Sequence, residues 1–369
     1  MNFKNNRSHL KLVPNNPDYD IDDDKDIGFL KDSEERPARI AKKILHGKEV
    51  YETYGFADIH THVLGDKSSK GIQSLNPEIV GVKQGVTVVV DAGSCGINNF
   101  EKFKHILYNK HTSVKFFINI SRYGLQEGLS ELADMNNLMT LDELIKFKSL
   151  HGEHLVGIKV RMSYSVVKQN GLLPLIHAKK LSKATNLPLM VHIGNAPPAL
   201  GDILNLLEKR DIVTHFLHGK PGGILDFKKE YISAANRGVT FDVGHGTSSF
   251  CFRTAEKVLS LGKVNFTIST DVYEKNLSTP VGSLMETMSK FFALGYSLED
   301  IVSKVTFFPM YNLKLHDVEY TNTLFTLEKP DRDLVDSEGY KIKVDKVFKP
   351  FGVVIGDFAI DNVSKPHED

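Results

Sequence analysis

Cysteine is scarce in this chain: Cys95 and Cys251 are the only two in 369 residues. They can form at most one bridge, which excludes a disulfide-framed scaffold, and both thiols are expected free, as in a reducing cytosol. Long apolar runs are missing too. Nowhere do eighteen consecutive apolar residues occur, and the opening Met1-Asn2-Phe3-Lys4-Asn5-Asn6-Arg7 leads into no apolar segment. Neither a membrane span nor an export signal is therefore expected, and the expected location is cytoplasmic. Net charge is absent: 46 Lys and Arg balance 46 Asp and Glu. A neutral chain offers no electrostatic footprint for nucleic acid or an anionic membrane, so the expected partner is a small-molecule substrate, with further copies of the chain in a homo-oligomer. Apolar residues (41%) and charged residues (25%) are in ordinary globular proportion, enough for a full core, and fifteen histidines remain to be placed.

Residues 1–50 carry the acidic stretch Asp18-Tyr19-Asp20-Ile21-Asp22-Asp23-Asp24-Lys25-Asp26 and no sustained periodicity. They read as a loosely attached leader, part of which joins a small β appendage. From Phe56 onward, short β-rich runs alternate with longer helical patterns. The runs are 56–62, 86–91, 115–120, 156–161, 188–193, 211–216, 239–243 and 264–270, with helical stretches such as 140–150, 173–185, 199–209 and 253–260 between them. Eight strands with crossover helices predict a (β/α)8 barrel over residues 51–317. An open doubly wound sheet is the weaker reading, because no G-x-G-x-x-G opens a helix. A helix is expected over 280–294, and another after Ser297-Leu298-Glu299-Asp300, a capping pattern. Residues 318–369, with β-like runs at 340–344 and 353–360, are expected to form the C-terminal β appendage.

In such a barrel the chemistry sits at the C-terminal ends of the strands. Strand one ends in His60-Thr61-His62, strand four carries Lys159, strands five and six end in His192 and His215, and Asp271 follows strand eight. Each has a plainer reading alone: an H-x-H on a polar strand face, a lysine paired with an interior acid such as Asp271, core histidines, a helix-capping aspartate. Taken together they form one imidazole and oxygen ligand set at one barrel end, suited to zinc or a similar ion. Lys159 and Arg161 share a strand face opposite Ile158, Val160 and Met162. Burial drives a lysine toward its neutral amine, which can take up carbon dioxide as a carbamate able to bridge two cations.

This pattern resembles the binuclear amidohydrolase superfamily. The runs Val90-Asp91-Ala92-Gly93-Ser94, Gly157-Ile158-Lys159-Val160-Arg161, Val191-His192-Ile193-Gly194, Val213-Thr214-His215 with Gly219-Lys220, Asp242-Val243-Gly244-His245-Gly246 and Ser269-Thr270-Asp271 are similar to its deacetylase, or dihydroorotase-like, branch. The resemblance runs from about Gly55 to Leu315. It implies two divalent ions, zinc by ligand type: His60 and His62 on one, His192 and His215 on the other, carboxylated Lys159 bridging, and Asp271 beside the first.

Two cations would lower the pKa of a shared water to about 7 and polarise a carbonyl, leaving Asp271 to shuttle the proton. Arg161 on the Lys159 face is expected to meet an oxyanion or a substrate carboxylate, unless it only pairs with a structural acid. Together with Lys220 and His245 it makes a cationic mouth, which predicts an acyl substrate bearing a carboxylate, such as an acetylated amino or hydroxy acid. Cyclic amide hydrolysis is an alternative. A nucleobase deaminase is another, disfavoured because Asn195 stands where a proton-relaying acid is wanted. A non-catalytic scaffold, which would have lost ligands, is remote.

Overall fold

A computed structural model of the chain describes residues 39–66, 74–126, 131–262 and 264–361. The acidic stretch at 18–26 lies outside the described residues. Eight parallel strands follow one another in order around a nearly closed barrel: Phe56–Thr61, Val86–Ala92, Ser113–Asn119, Leu155–Met162, Leu189–Ile193, Ile212–Thr214, Thr240–Asp242 and Phe266–Thr267. The first and last edges meet just past the eighth strand, where Thr61 pairs with Val272 and Asp271 N–H donates to the His60 carbonyl at 2.6 Å. Strands such as Val-Thr-Val-Val-Val-Asp-Ala at 86–92 are β-branched and wholly buried, as a strand covered on both faces must be.

Ile158, Val160, Met162, Val191 and Val213 of the strands cluster with Leu144, Phe147, Leu175 and Leu181 of the helices. This is the apolar layer between barrel and helices that the alternation on strand four predicts. The helix Leu141–His151 starts where sequence places it because Thr140 and Glu143 cap each other: Glu143 N–H donates to Thr140 Oγ1 at 3.3 Å, and Thr140 N–H to Glu143 Oε2 at 2.7 Å. Ser297 and Asp300 do the same for Leu298–Ser303. The helix expected over 280–294 begins only at Leu284, capped by Ser283. No described helix is long and apolar enough to cross a membrane. Cys95 and Cys251 are free and buried.

The terminal segments form the expected β appendage, with strands placed differently from the sequence pattern. Residues 41–54 are a hairpin, Ala41–Leu45 and Lys48–Tyr54, so this part of the leader joins the β appendage as expected and is firmly paired rather than loosely attached. It pairs with Thr321–Glu328, Val347–Ile355 and Phe358–Asp361 in one five-stranded antiparallel sheet. The run expected at 353–360 is two strands, turning at Gly356-Asp357, and the run at 340–344 shrinks to Lys341–Ile342, paired with Leu334–Val335. Local pattern misses these because the partners are some 270 residues apart: Phe325 stacks on Tyr51 at 5.4 Å between ring centres, and Phe56 N–H donates to Thr323 Oγ1 at 3.0 Å. The sheet thereby grips the N-terminal ends of the barrel strands and leaves their C-terminal ends open.

Candidate metal centre

Strands six and eight stop earlier than their sequence pattern suggests, and the residues that stop them belong to the site. His215 (φ 74°) and Asp271 (φ 52°) lie in the left-handed region, uncommon for residues other than glycine, though Asp and His enter it more readily than most. His215 N–H donates to the Asp242 carbonyl at 2.9 Å, and Asp271 N–H to that of His60. Both side chains are thus turned to where strands one, four and five end.

The six expected donor residues come together there. Asp271 Oδ1 is 3.0 Å from His62 Nε2 and 3.3 Å from His60 Nε2. Lys159 Nζ is 3.1 Å from His60 Nε2 and 3.4 Å from Met190 Sδ. The ligand atoms of His60, His215 and Asp271 lie within 4.8 Å of one another, and the His192 ring is centred 4.5 Å from that of His215. Among the described residues no carboxylate lies within ion-pair distance of Lys159, so the expected alternative of pairing with Asp271 is not what the geometry shows.

Outer hydrogen bonds decide which imidazole nitrogen faces inward. Thr214 Oγ1 donates to Asp242 Oδ2 at 2.7 Å, so its oxygen accepts the Nδ1–H of His60 at 2.8 Å. Ser94 Oγ donates to Asp91 Oδ2 at 2.7 Å and accepts the Nδ1–H of His62 at 2.7 Å. His215 Nδ1–H donates to the Gly244 carbonyl at 2.6 Å. All three rings therefore turn an unprotonated Nε2 inward. Burial keeps His60, His192 and His215 neutral, pushing the first two well below the ordinary imidazole range and His215 down to about 3. His215 Nε2 is buried without a hydrogen-bond partner. Lone pairs converging on a carboxylate, one of them orphaned, need a cation, and imidazole and oxygen donors without thiolate suit zinc. Burial also brings the Lys159 ammonium down to about 8.

Asp91 and Asp242 orient this shell, and sequence reasoning assigned them no role. Their signal was a carboxylate closing an apolar strand in each case. Both are fully buried; Asp242 accepts from Thr214, Thr267 and Ser269, and Asp91 from the backbones of Val63, Leu64 and Ser94. Two glycines noted in the sequence have their partners here. A Cβ on Gly93 would stand 2.5 Å from Lys159 Cβ, and one on Gly244 would stand 2.3 Å from Thr214 Oγ1 and 3.0 Å from His60 Nδ1. Both also have positive φ, so only glycine fits.

The three residues expected to form a cationic mouth fare differently. Arg161 sits opposite His192 in register and gives one nitrogen to buried Glu131 at 2.8 Å. Lys220 is half-buried with Nζ 3.2 Å from Ser248 Oγ. His245 is neither cationic nor at the mouth. It is fully buried against Phe250 and Lys290, whose Nζ lies 2.6 Å from Nε2, and burial holds its pKa well below the usual range. Lys290 comes from the helix Leu284–Ala293, a contact that only the fold creates.

No family model matches the chain. A deacetylase of Enterococcus faecalis is 37% identical over 339 residues, covering 87% of this chain and 90% of that protein. A deacetylase of Brucella anthropi is 32% identical over 351 residues, covering 91% and 86%. Among solved structures, an adenine deaminase superposes with a TM-score of 0.79 at 36% identity, covering 85% of this chain and 87% of that one. A dihydroorotase superposes with 0.78 at 32% identity, covering 84% of each.

Proposed function

The chain belongs to the amidohydrolase superfamily, in the branch of its deacetylase and dihydroorotase-like members, and is a metal-dependent hydrolase; from that premise we propose that it cleaves the acyl bond of a small carboxylate-bearing substrate, an acetylated amino or hydroxy acid. The observation that carries this reading is the set of inward lone pairs on His60, His62 and His215 around Asp271. His60 and His62 would hold one zinc ion beside Asp271, and His192 and His215 a second. Lys159 would join the two after its amine adds to carbon dioxide, forming one N–C bond and releasing one proton. When bound, such cations acidify a water to a pKa of about 7 and polarise an acyl carbonyl.

The remaining work falls to the chain's own groups. Asp271 takes the proton of the attacking water and hands it to the leaving nitrogen or oxygen. Its backbone is pinned for this, N–H to His60 and carbonyl to Asn276 Nδ2 at 3.0 Å. Arg161, anchored by Glu131, keeps further N–H donors for an oxygen of the substrate, either of its acyl group or of its carboxylate. Lys220 adds a second positive charge at the same face. A second reading, opening of a cyclic amide or removal of an amino group from a nucleobase, is favoured by the likeness to the dihydroorotase and the adenine deaminase.

The test is a panel of acetylated amino and hydroxy acids, their neutral amides and methyl esters, cyclic ureides and adenine, assayed with zinc- and manganese-loaded protein. The acetylated acids are expected to give the highest kcat/KM. Equal values for charged and neutral analogues would remove the carboxylate from the proposal, and a preference for ureides or adenine would replace it with the second reading.

A further inference from the structure

We propose that His218 and Lys220, on the loop after the sixth barrel strand, form a carboxylate-binding subsite of this active site. The proposal rests on the carboxylate-bearing substrate argued above and moves its recognition away from Arg161. His218 follows directly from the ligand turn, its N–H donating to the His215 carbonyl at 3.3 Å. Lys220 N–H in turn donates to His218 Nδ1 at 3.1 Å. With Nδ1 accepting, the proton of the neutral ring is on Nε2. That Nε2 is buried, on a side chain 3% exposed, and has no hydrogen-bond partner among the described residues. A buried N–H donor without an acceptor is destabilising, and native structures keep such groups where a ligand or water completes them.

Charge places the second half of the subsite two residues on. The Arg161 guanidinium is already matched by Glu131. Lys220 has a hydroxyl, Ser248, as its neighbour and no carboxylate within ion-pair distance among the described residues. Its backbone is tied to the same turn, Lys220 N–H to His218 Nδ1 and His218 N–H to the carbonyl of the ligand His215, which keeps the loop at the C-terminal end of the sixth strand. One ammonium and one neutral N–H on a single tight turn match a carboxylate, with one charge and two acceptor oxygens. A phosphate would leave a charge unmatched. With the carboxylate held there, Arg161 is left to serve the acyl oxygen.

The zinc-loaded full chain is assayed on N-acetylalanine and its amide, and sodium lactate is titrated into protein with ¹⁵N-labelled histidine. In the wild type the charged substrate is expected to be preferred, and lactate, but not lactamide, to shift the His218 Nε2 proton. His218→Phe and Lys220→Met are each expected to cut the charged-to-neutral kcat/KM ratio at least tenfold, mainly through KM and with wild-type metal content. His218→Gln, which keeps an N–H donor, recovers part of that ratio. Arg161→Met lowers kcat on both substrates. An unchanged ratio in both loop variants, with collapse in Arg161→Met, overturns the subsite and leaves the substrate proposal standing. A wild-type ratio near one overturns both. Lys220→Met, at a half-exposed position, carries the test if His218→Phe does not fold.

Discussion

At the open end of the barrel, Asp58, Asp91 and Asp242 are almost inaccessible, and each is met by hydroxyls and backbone N–H groups rather than by a lysine or arginine. In the five-stranded sheet at the other end, the buried carboxylate Glu52 is matched directly by Lys43, with Asn322 Nδ2 donating at 2.7 Å, and the remaining buried positions go to residues such as Phe325, Phe348 and Val353. The sheet closes its charge on itself. The mouth does the opposite: Asp91 and Asp242 polarise Ser94 and Thr214, these fix two imidazoles, and the lone pairs end up facing a common centre. A buried charge matched by an ion is neutralised where it sits, whereas one matched by neutral donors is left to orient other groups.

Lys159→Ala should break this contrast most completely. Loss of most bound metal and nearly all activity is expected, with partial recovery in short carboxylic acids that replace the carbamate; unchanged metal by elemental analysis would remove Lys159 from the site. Asp271→Asn keeps the shape but not the proton relay, so kcat should fall by about 10²-fold or more with an unchanged melting temperature, as positioned acid–base groups contribute about that much. Retained activity would place the base elsewhere. Thr214→Val removes the acceptor behind His60 together with one of the donors to Asp242, and should weaken metal affinity about 10- to 100-fold, as loss of an outer hydrogen bond does in other metal sites. A chelator titration reads it, and unchanged affinity would deny the relay.

Phe348→Ala should leave the mouth alone. Phe348 lies between Phe325 and Phe292, each centred 5.1 Å away, so truncation should cost about 3–5 kcal/mol in urea unfolding while kcat and metal content stay at wild-type levels. Loss of metal in that variant would show that the two ends are coupled.

The ligands were legible because a barrel converts a simple rule, a polar residue at the end of an apolar strand, into convergence at one face. His60, His62, His192, His215 and Asp271 satisfy it, and Lys159, inside its strand, was legible from the strand face it shares with Arg161. The same rule misled at His245, which closes a similar pattern yet turns into the helix layer, where Lys290 from a helix some 45 residues later meets it. The strands of the hairpin at 41–54 and the strand Thr321–Glu328 were not located from the sequence because the sheet that holds them joins the two ends of the chain. Antiparallel pairing over that distance leaves no local period to read.

Sequence by itself determined the alternation of strand and helix, the barrel that follows from it, the balance of charge, and which side chains reach the C-terminal face. These depend on local periodicity and on the direction of a side chain along a strand. Only the tertiary structure decided which imidazole nitrogen is free, that Glu131 neutralises Arg161, that His245 is buried, and that His218 has an unmatched N–H. Each of these turns on a hydrogen-bond partner brought in by another strand or loop, or on its absence, and a hydrogen bond is won or lost over a few tenths of an ångström that no residue pattern encodes.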